Sequence, residues 1–407
     1  DVRLVRLAKS VRCTYSRYAD DLTFSTNTRT FPTQLAEEVA GSPGTWVLGT
    51  LLADNITRAG FAINHTKTRM QVRTNQQIVT GLTVNAKVNI QASYYRAARQ
   101  MCHSIFTKGT YHRPQKPTAL GSVASTPVLE KSVSYLEGLM SHIHHVKHTS
   151  DVKSGRLQEA KETKNNKVIY PAHRTLYKRL LYFKHFVILE EPLVVCEGKT
   201  DNIYLRSALK SFAGSGLYPE LAELDGSSLK SKIRFLKGSR VEHDILQLSG
   251  GSSNIAEFVG RYHGSVARYT YKPMNYRVIV LVDNDSGASP VFSATKKLIP
   301  KIPDFTSKEP FYYLGHNLYL IKTPEKGPAG ISCMEDLFEQ SVLDTKLDGK
   351  SFSRLDEFDE TSFYSKMIFA DRVVRANVST INFGEFRELF DRIKAAIVDY
   401  AVRLTKP

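Results

Sequence analysis

Two short apolar runs that each end in acidic residues restrict the fold of this chain more than any other feature. The first run is FVILEEPLVVCEG (186–198), and the helical pattern TDNIYLRSALKSFAG (200–214) follows it. The second run is YRVIVLVDNDSG (276–287). Apolar strands that alternate with helices are typical of a mainly parallel sheet covered on both faces. The sequence therefore predicts an α/β domain over residues 187–407.

Acidic side chains stand at the ends of both predicted strands. Glu197 ends the first strand, and Asp201 lies in the first turn of the next helix, for which Thr200 is the predicted N-cap. Asp283 and Asp285 end the second strand, where alternate positions share a face. Ligands of α/β sheets bind beyond the carboxyl ends of the strands, so one shared site is predicted. Taken singly, each motif is also typical of a capped helix or a solvated turn.

Two further charged residues are candidates later in the chain. Glu335 stands at a predicted loop-to-helix junction in SCMEDLFEQ, and Lys366 lies on a predicted amphipathic helix in YSKMIFADRVV. A capping carboxylate and a solvated lysine are the alternative interpretations.

The order of apolar strand, Glu-Gly-x-x-Asp, apolar strand and Asp-x-Asp resembles the TOPRIM domain, a Rossmann-like fold. TOPRIM domains occur in topoisomerases, primases and the overcoming-lysogenization-defect nucleases. The resemblance implies Mg²⁺, with Mn²⁺ as the alternative, and catalytic roles for Glu197 and Lys366. The implied metal ligands are Glu197, Asp201, Asp283, Asp285 and Glu335. Strand passage would need gate domains, and a bacterial-type primase would bring a zinc module, so metal-dependent hydrolysis of a phosphodiester is favoured.

A second acidic pair lies near the start of the chain, in TYSRYADDLTFST (14–26). Aspartate is common in polar turns, which is the simplest explanation of Asp20 and Asp21. Two adjacent aspartates can approach one ion only where the backbone turns, and the flanking pattern predicts a hairpin. Paired carboxylates with Mg²⁺ are suited to nucleotide chemistry.

The Tyr18-Ala19-Asp20-Asp21 hairpin resembles the catalytic motif of reverse transcriptases. AGFAINHTKTRM (59–70) resembles the next motif of that family, and QIVTGLTVN (77–85) resembles the hairpin at the base of the thumb, with a Val-Thr-Gly triplet similar to that of retron enzymes. The resemblance implies that Asp20 and Asp21 are catalytic metal ligands. It also implies nucleotide or nucleic-acid contacts at Tyr18, Lys67, Thr80 and Gly81. A surface lysine after a turn is the alternative for Lys67.

One departure from that family concerns the third metal aspartate. The aspartate belongs to a motif well upstream of the hairpin, whereas this chain begins nineteen residues before Asp20. The expectation is therefore that the chain is the C-terminal part of a longer polypeptide.

Charge is concentrated in the middle of the chain. The net charge is +16, and residues 91–190 hold 16 Lys and Arg against 6 Asp and Glu, interleaved with Tyr and His. Basic groups with stacking side chains suit an RNA or DNA groove, and a solvated helical surface is the alternative. The four cysteines are far apart and no apolar run reaches about 18 residues, which favours a cytoplasmic protein without a membrane segment.

Together these patterns predict an α/β multidomain protein. Residues 1–90 form part of an α+β reverse-transcriptase palm, 91–186 a basic helical thumb and 187–407 the TOPRIM domain. The resemblance implies a bacterial retron enzyme that copies a structured noncoding RNA into RNA-linked single-stranded DNA (msDNA). The fused nuclease, acting on a nucleic-acid substrate, would be the toxic effector of antiviral defence. The alternative is that the polymerase-derived region only binds RNA or DNA and regulates the nuclease, or that the last domain is an inactive scaffold. A homo-oligomer is compatible with either.

Overall fold

The computed structural model describes residues 1–115, 126–153, 161–162, 168–248, 250–299, 303–355 and 357–405. Parts of the predicted thumb, residues 116–125, 154–160 and 163–167, lie outside the described residues. The chain divides into two compact units. Unit 1 comprises residues 1–98 and 141–169, and unit 2 comprises residues 99–140 and 170–407.

Helices occur in both units. In chain order the α-helices are α1 (Val2–Ser10), α2 (Thr50–Thr57), α3 (Ala92–Lys108), α4 (Ser134–Lys153), α5 (Ala172–Tyr182), α6 (Lys199–Gly214), α7 (Arg240–Leu246), α8 (Ser252–Val266), α9 (Ser289–Thr295), α10 (Gln340–Leu343), α11 (Lys366–Ile368) and α12 (Arg387–Thr405). Wider π-helical turns continue α5 over Phe183–Val187 and α11 over Phe369–Arg375.

The strands are mostly short. In chain order they are β1 (Thr14–Tyr18), β2 (Asp21–Ser25), β3 (Ala36–Glu38), β4 (Trp46–Leu48), β5 (Ile78–Val79), β6 (Leu82–Thr83), β7 (Asn89–Ile90), β8 (Tyr111–Arg113), β9 (Val128–Glu130), β10 (Lys161–Glu162), β11 (Val168–Ile169), β12 (Leu193–Cys196), β13 (Ala222–Asp225), β14 (Ser228–Ser231), β15 (Arg234–Phe235), β16 (Val278–Val282), β17 (Tyr312–Gly315), β18 (Leu318–Lys322), β19 (Ser351–Phe352) and β20 (Phe363–Tyr364).

Unit 1 is built from small antiparallel sheets around a modest core. β1 pairs with β2, β3 with β4, and β6 with both β5 and β7. The fully buried members of its core are Ala8, Cys13, Leu35 and Leu52. The ring of Tyr15 on β1 packs against Phe24 on β2 at 5.1 Å, so one face of the first hairpin covers this core. The opposite face of the hairpin is left to solvent.

The main sheet of unit 2 has the strand order β15-β12-β16-β18-β17. The first four strands are parallel, and β17 pairs antiparallel with β18 at one edge. Every residue of β16 and β18 is buried, which explains the unbroken apolar sequence of β16 and the apolar start of β18, whose last residue is the buried Lys322. The mainly parallel sheet predicted from the sequence is therefore present, within a mixed α/β chain.

Helices α6 and α12 share one core with this sheet. The predicted apolar stripe of α6, formed by Leu205, Ala208, Leu209 and Phe212, is buried there. The start of α6 differs from the prediction. Gly198, not Thr200, is the N-cap, because the carboxylate of Asp201 reaches back to accept a hydrogen bond from the backbone N–H of Gly198 at 2.7 Å.

None of the helices in the described part of the chain combines the length and the apolar content that crossing a bilayer requires.

Candidate functional site

The first acidic pair lies on a tight hairpin in unit 1. Tyr18 of β1 pairs with Asp21 of β2, so Ala19 and Asp20 form a two-residue loop. Ala19 has a φ of +52°, a left-handed conformation that the loop imposes on a residue with a side chain. Asp20, Asp21 and Tyr18 are exposed, and Tyr18 keeps 70% of its surface. The predicted hairpin is present, and its carboxylates are open to solvent.

The other predicted contacts of unit 1 lie on separate turns. Thr80 and Gly81 link β5 to β6 with φ values of +48° and +84°, and Gln91 donates a hydrogen bond to the carbonyl oxygen of Gly81 at 2.8 Å. Lys67 is exposed in the turn that follows Asn64. Among the described residues, no hydrogen bond or ion pair joins Lys67 to the aspartates of the first hairpin.

In unit 2, the strand ends bring acidic residues to one edge of the sheet. β12 and β16 are parallel neighbours, with Cys196 opposite Leu281. Glu197 and Asp283 follow these strands directly and therefore emerge at the same edge.

Four carboxylates from separate segments line one pocket of about 550 Å³. They belong to Glu197, Asp201, Asp283 and Glu335, and Lys366 lines the same pocket. Burial raises the pKa of Asp283 to about 8, and the neighbouring carboxylates add to the rise. Burial likewise raises the pKa of Asp201 to about 6 and that of Glu197 above its usual range. The pocket therefore concentrates acidic groups where water screens them poorly.

Protein groups hold these carboxylates in place. The backbone N–H of Met334 donates to Oδ1 of Asp283 at 2.9 Å. The hydroxyl of Tyr204 donates to Oε1 of Glu335 at 3.4 Å, and Nζ of Lys366 lies 3.8 Å from the same oxygen. Tyr204 was not identified from the sequence, although it lies one helical turn beyond Asp201 on α6.

Gly198 allows α6 to begin this close to the pocket. A Cβ at this position would lie 3.1 Å from Oδ1 of Asp201, which is tighter than ordinary packing. A side chain at this position would press on the Asp201 carboxylate, which folds back over the glycine.

Asp285 lies beside the pocket and does not line it. Its carboxylate accepts a hydrogen bond from the backbone N–H of Gly287 at 2.8 Å and caps a short helical turn. It is near enough to raise the pKa values of Glu197 and Asp283. Ser252, at the start of α8, acts in the opposite direction on Glu197, because its hydroxyl and N–H favour the charged carboxylate.

Asn284 separates the two aspartates and is fully buried. Its side-chain amide donates to the carbonyl oxygens of Phe305 at 3.0 Å and Gly330 at 2.6 Å. Its backbone N–H donates to Oγ1 of Thr323 at 2.8 Å, and Oδ1 accepts from Lys322 at 3.3 Å. This residue anchors the strand end that carries both aspartates. The sequence offered no signal for it, because its partners are distant along the chain.

The donor chemistry of the pocket fits Mg²⁺, which prefers carboxylate oxygens and retains several waters. In the side-chain positions described, however, no three His, Cys, Asp or Glu residues converge as ligands of one ion. The carboxylates of Asp201 and Asp283 are instead turned toward backbone N–H groups. Ligation would therefore require side-chain movements that bring the carboxylates together around the ion, with the oxygen that accepts no backbone N–H free to bind it.

Curated proteins with partial similarity to this chain are retron enzymes. Retron Mx65 reverse transcriptase of Myxococcus xanthus is 38% identical over 103 residues, which are 25% of this chain and 21% of that protein. Retron Mx162 reverse transcriptase of the same organism is 31% identical over 144 residues, 35% of this chain and 27% of that protein. The chain thus spans about a quarter of the length of these relatives. No family model and no solved structure matches it. Part of this chain is related to retron reverse transcriptases.

Proposed function

We propose that this chain joins the end of a retron reverse transcriptase to a metal-dependent nuclease of the TOPRIM type. The polymerase assignment is supported by the relation to retron enzymes and by the exposed Asp20–Asp21 hairpin. Its product would be single-stranded DNA linked to a noncoding RNA. The nuclease would be the toxic effector of antiviral defence in the bacterial cytoplasm.

One observation carries the nuclease assignment. Carboxylates from the ends of two parallel strands, from the first turn of α6 and from the Met334–Leu337 turn share one buried pocket with a lysine. Like charges gathered under burial are costly for folding, and such sites are therefore characteristic of function.

The pocket residues divide into metal ligands and a charge-neutralising group. Glu197, Asp283 and the adjacent Asp285 would hold one Mg²⁺ or Mn²⁺, and Asp201 and Glu335 would serve a second. Such ions activate an attacking water and stabilise the leaving oxygen of a phosphodiester.

Lys366 contributes a positive charge of its own. Its ammonium group, at the mouth of the pocket, would neutralise charge that develops on the phosphate oxygens. The hydrogen bond from Tyr204 would keep Glu335 oriented while the substrate is bound.

The nuclease assignment is tested by cleavage of labelled RNA and DNA with Mg²⁺. Asp283→Asn and Glu197→Gln should each lower the rate by about 100-fold or more, because charge stabilisation at a phosphoryl centre has that magnitude. Asp225→Asn removes an exposed carboxylate from the same unit and should leave cleavage unchanged. Equal rates for all four proteins would instead support the inactive-scaffold alternative.

The polymerase assignment is tested by primer extension with the intact protein. Asp20→Asn should abolish extension, and Asp54→Asn, at an exposed position on α2, should not. Equal extension by Asp20→Asn and wild type would show that Asp20 takes no part in polymerisation. Sequencing of the nucleic acid that copurifies should reveal a covalently joined RNA–DNA species.

A further inference from the structure

Unit 2 carries a cluster of positive charge outside the acidic pocket. We define the α5–α8 basic cluster as Arg174 and Lys178 of α5, Arg261 of α8 and Arg268 just beyond α8. The pKa of Lys178 is lowered to about 8, chiefly by burial; Glu257 opposes the shift and the three arginines contribute to it. Folding alone gives no reason to place a half-buried lysine among three arginines, because like charges repel.

The acidic residues nearby neutralise only part of this charge. Arg174 pairs with Asp244 at 3.1 Å, and Arg261 pairs with Glu257 on the same helix. Among the residues that the structure describes, two carboxylates thus pair with this cluster of four cations. The remaining charge is available to an anionic ligand.

The cluster is joined directly to the wall of the acidic pocket. Lys178 donates a hydrogen bond to the side-chain carbonyl of Gln247, and Gln247 donates to the hydroxyl of Tyr170 at 2.6 Å. The guanidinium of Arg174 covers the ring of Tyr170 at 4.7 Å. Leu248, which follows Gln247 in the chain, lines the acidic pocket.

Helix α7 provides a second connection between the two regions. His243 lines the pocket and its ring contacts the carbonyl oxygen of Leu248 at 2.9 Å. The following residue, Asp244, holds Arg174 of the cluster. Cations and carboxylates therefore occupy adjoining parts of one surface within unit 2.

We propose that the α5–α8 basic cluster binds the phosphate backbone of the nucleic acid whose phosphodiester enters the acidic pocket. This inference rests on the proposed nuclease function. A pocket with four carboxylates repels a polyanion, so the flanking nucleotides need positive charge beside it. The basic helix α5, which the resemblance to reverse transcriptases assigns to a polymerase thumb, would then serve the nuclease.

The test compares affinity with stability in variants of the whole chain. Lys178→Met and Arg268→Gln remove cluster charges, and Lys210→Met removes an exposed lysine from α6 as the control. Binding of a fluorescein-labelled single-stranded oligonucleotide, as DNA and as RNA, is followed by anisotropy in EDTA over a series of KCl concentrations. Each cluster variant should raise Kd severalfold and reduce the slope of log K against log salt by about 0.7. Lys210→Met should change neither quantity.

Thermal melting separates this role from a structural one. Lys178→Met should leave Tm unchanged or higher, because it removes a charge that burial and three arginines disfavour. A lower Tm together with unchanged affinity would overturn the proposal, as would a salt slope equal to that of the wild type.

Photo-crosslinking locates the contact on unit 2 and excludes a signal from unit 1. An oligonucleotide that contains 4-thiothymidine should crosslink to peptides that include Tyr170 or residues 261–268. Crosslinks confined to unit 1 would overturn the proposal. If these peptides crosslink but the wild type cleaves nothing with Mg²⁺, the nuclease assignment fails while the binding surface stands. If the wild type cleaves but cluster variants bind normally, the surface alone is wrong.

Discussion

Nζ of Lys366 lies 3.8 Å from Oε1 of Glu335, a residue that is only 2% exposed. The hydroxyl of Tyr204 donates to the same oxygen. A buried carboxylate is thus compensated by two groups that reach it from α6 and from the start of α11. The three side chains form one electrostatic unit within the acidic pocket.

Removal of Lys366 should lower the stability of the folded chain, because the buried Glu335 carboxylate loses its cation. Lys366→Met leaves Glu335 buried without its cation, so the free energy of unfolding in EDTA should fall by about 1–2 kcal/mol. This fall in the free energy of unfolding is small for a buried ion pair because the Lys366 side chain is partly exposed. Glu335→Gln in the same chain should recover most of the loss in urea denaturation. Additive effects of the two substitutions would show that the residues do not interact.

Lys326→Met, which breaks an exposed pair with Glu385, is the control and should lower the free energy of unfolding by less than about 1 kcal/mol.

Divalent ions should stabilise unit 2. Mg²⁺ or Mn²⁺ at millimolar concentration should raise its Tm by several degrees, because an ion relieves repulsion among four carboxylates and binds only the folded state. Asp283→Asn should have opposite effects in two conditions. In EDTA it should raise Tm, since burial of the Asp283 carboxyl, whose pKa is raised to about 8, costs the uptake of a proton at neutral pH and burial of an amide does not. With Mg²⁺ it should abolish most of the gain. Melting curves of wild type and Asp225→Asn, which should respond alike, provide the comparison. A wild-type curve indifferent to both ions would contradict a metal site.

The first hairpin should be stabilised by a glycine. Ala19 adopts a φ of +52°, where a side chain costs on the order of 1 kcal/mol, so Ala19→Gly should strengthen the β1–β2 pairing. Amide hydrogen exchange within β1 and β2 should slow about fivefold. Gly81→Ala, at a φ of +84° in the other hairpin, is the matched change and should accelerate exchange in β5 and β6. Faster exchange in Ala19→Gly would show that the alanine is unstrained.

Acid should destabilise unit 2 through His185. This residue is buried, and burial lowers its pKa; Glu242 opposes the shift, while Lys184 and Arg234 add to it. Below pH 6.5 the unfolded chain takes up a proton that the folded His185 resists, so stability falls as pH falls. The loss in the free energy of unfolding is at most about 1.4 kcal/mol per pH unit.

Urea denaturation at pH 7.5, 6.5 and 5.5 should show a shallower decline of the free energy of unfolding for His185→Gln than for the wild type. His103→Gln, at an exposed position, should follow the wild type. Parallel declines in all three proteins would assign the acid sensitivity to other groups.

The features that could be predicted from the sequence are those encoded by neighbouring residues. The Tyr18–Asp21 hairpin follows from a short alternating pattern around a turn, and the Val79–Leu82 hairpin was expected from the resemblance to reverse transcriptases. The parallel sheet follows from apolar runs, and its carboxyl edge necessarily receives Glu197 and Asp283. Asp201 joins these two residues in the pocket because it lies in the first turn of the helix after β12, whereas the presence of Glu335 was expected only from the resemblance to TOPRIM domains. Their roles as metal ligands stay a prediction.

The features that could not be predicted depend on contacts between distant segments. Tyr204 reaches Glu335 across 131 positions of sequence, and Asn284 is held by residues 21 to 46 positions away. The predicted cap at Thr200 was wrong because α6 already begins at Lys199, with Asp201 in its first turn accepting a hydrogen bond from the backbone N–H of Gly198. The grouping of α5 with unit 2 likewise depends on its packing partners, which lie more than 60 positions further along the chain.

The buried position of Asn284 has a consequence for how variation would be distributed in the Asp-Asn-Asp triplet. Its amide nitrogen faces two carbonyl oxygens, and its Oδ1 faces a lysine, so no other side chain satisfies all three. Even aspartate, which has the same shape, would meet those carbonyls with negative charge. In a library randomised at this triplet and selected only for soluble, folded protein, position 284 should accept fewer replacements than position 285. The residue that carries no charge would be the one under the strictest constraint.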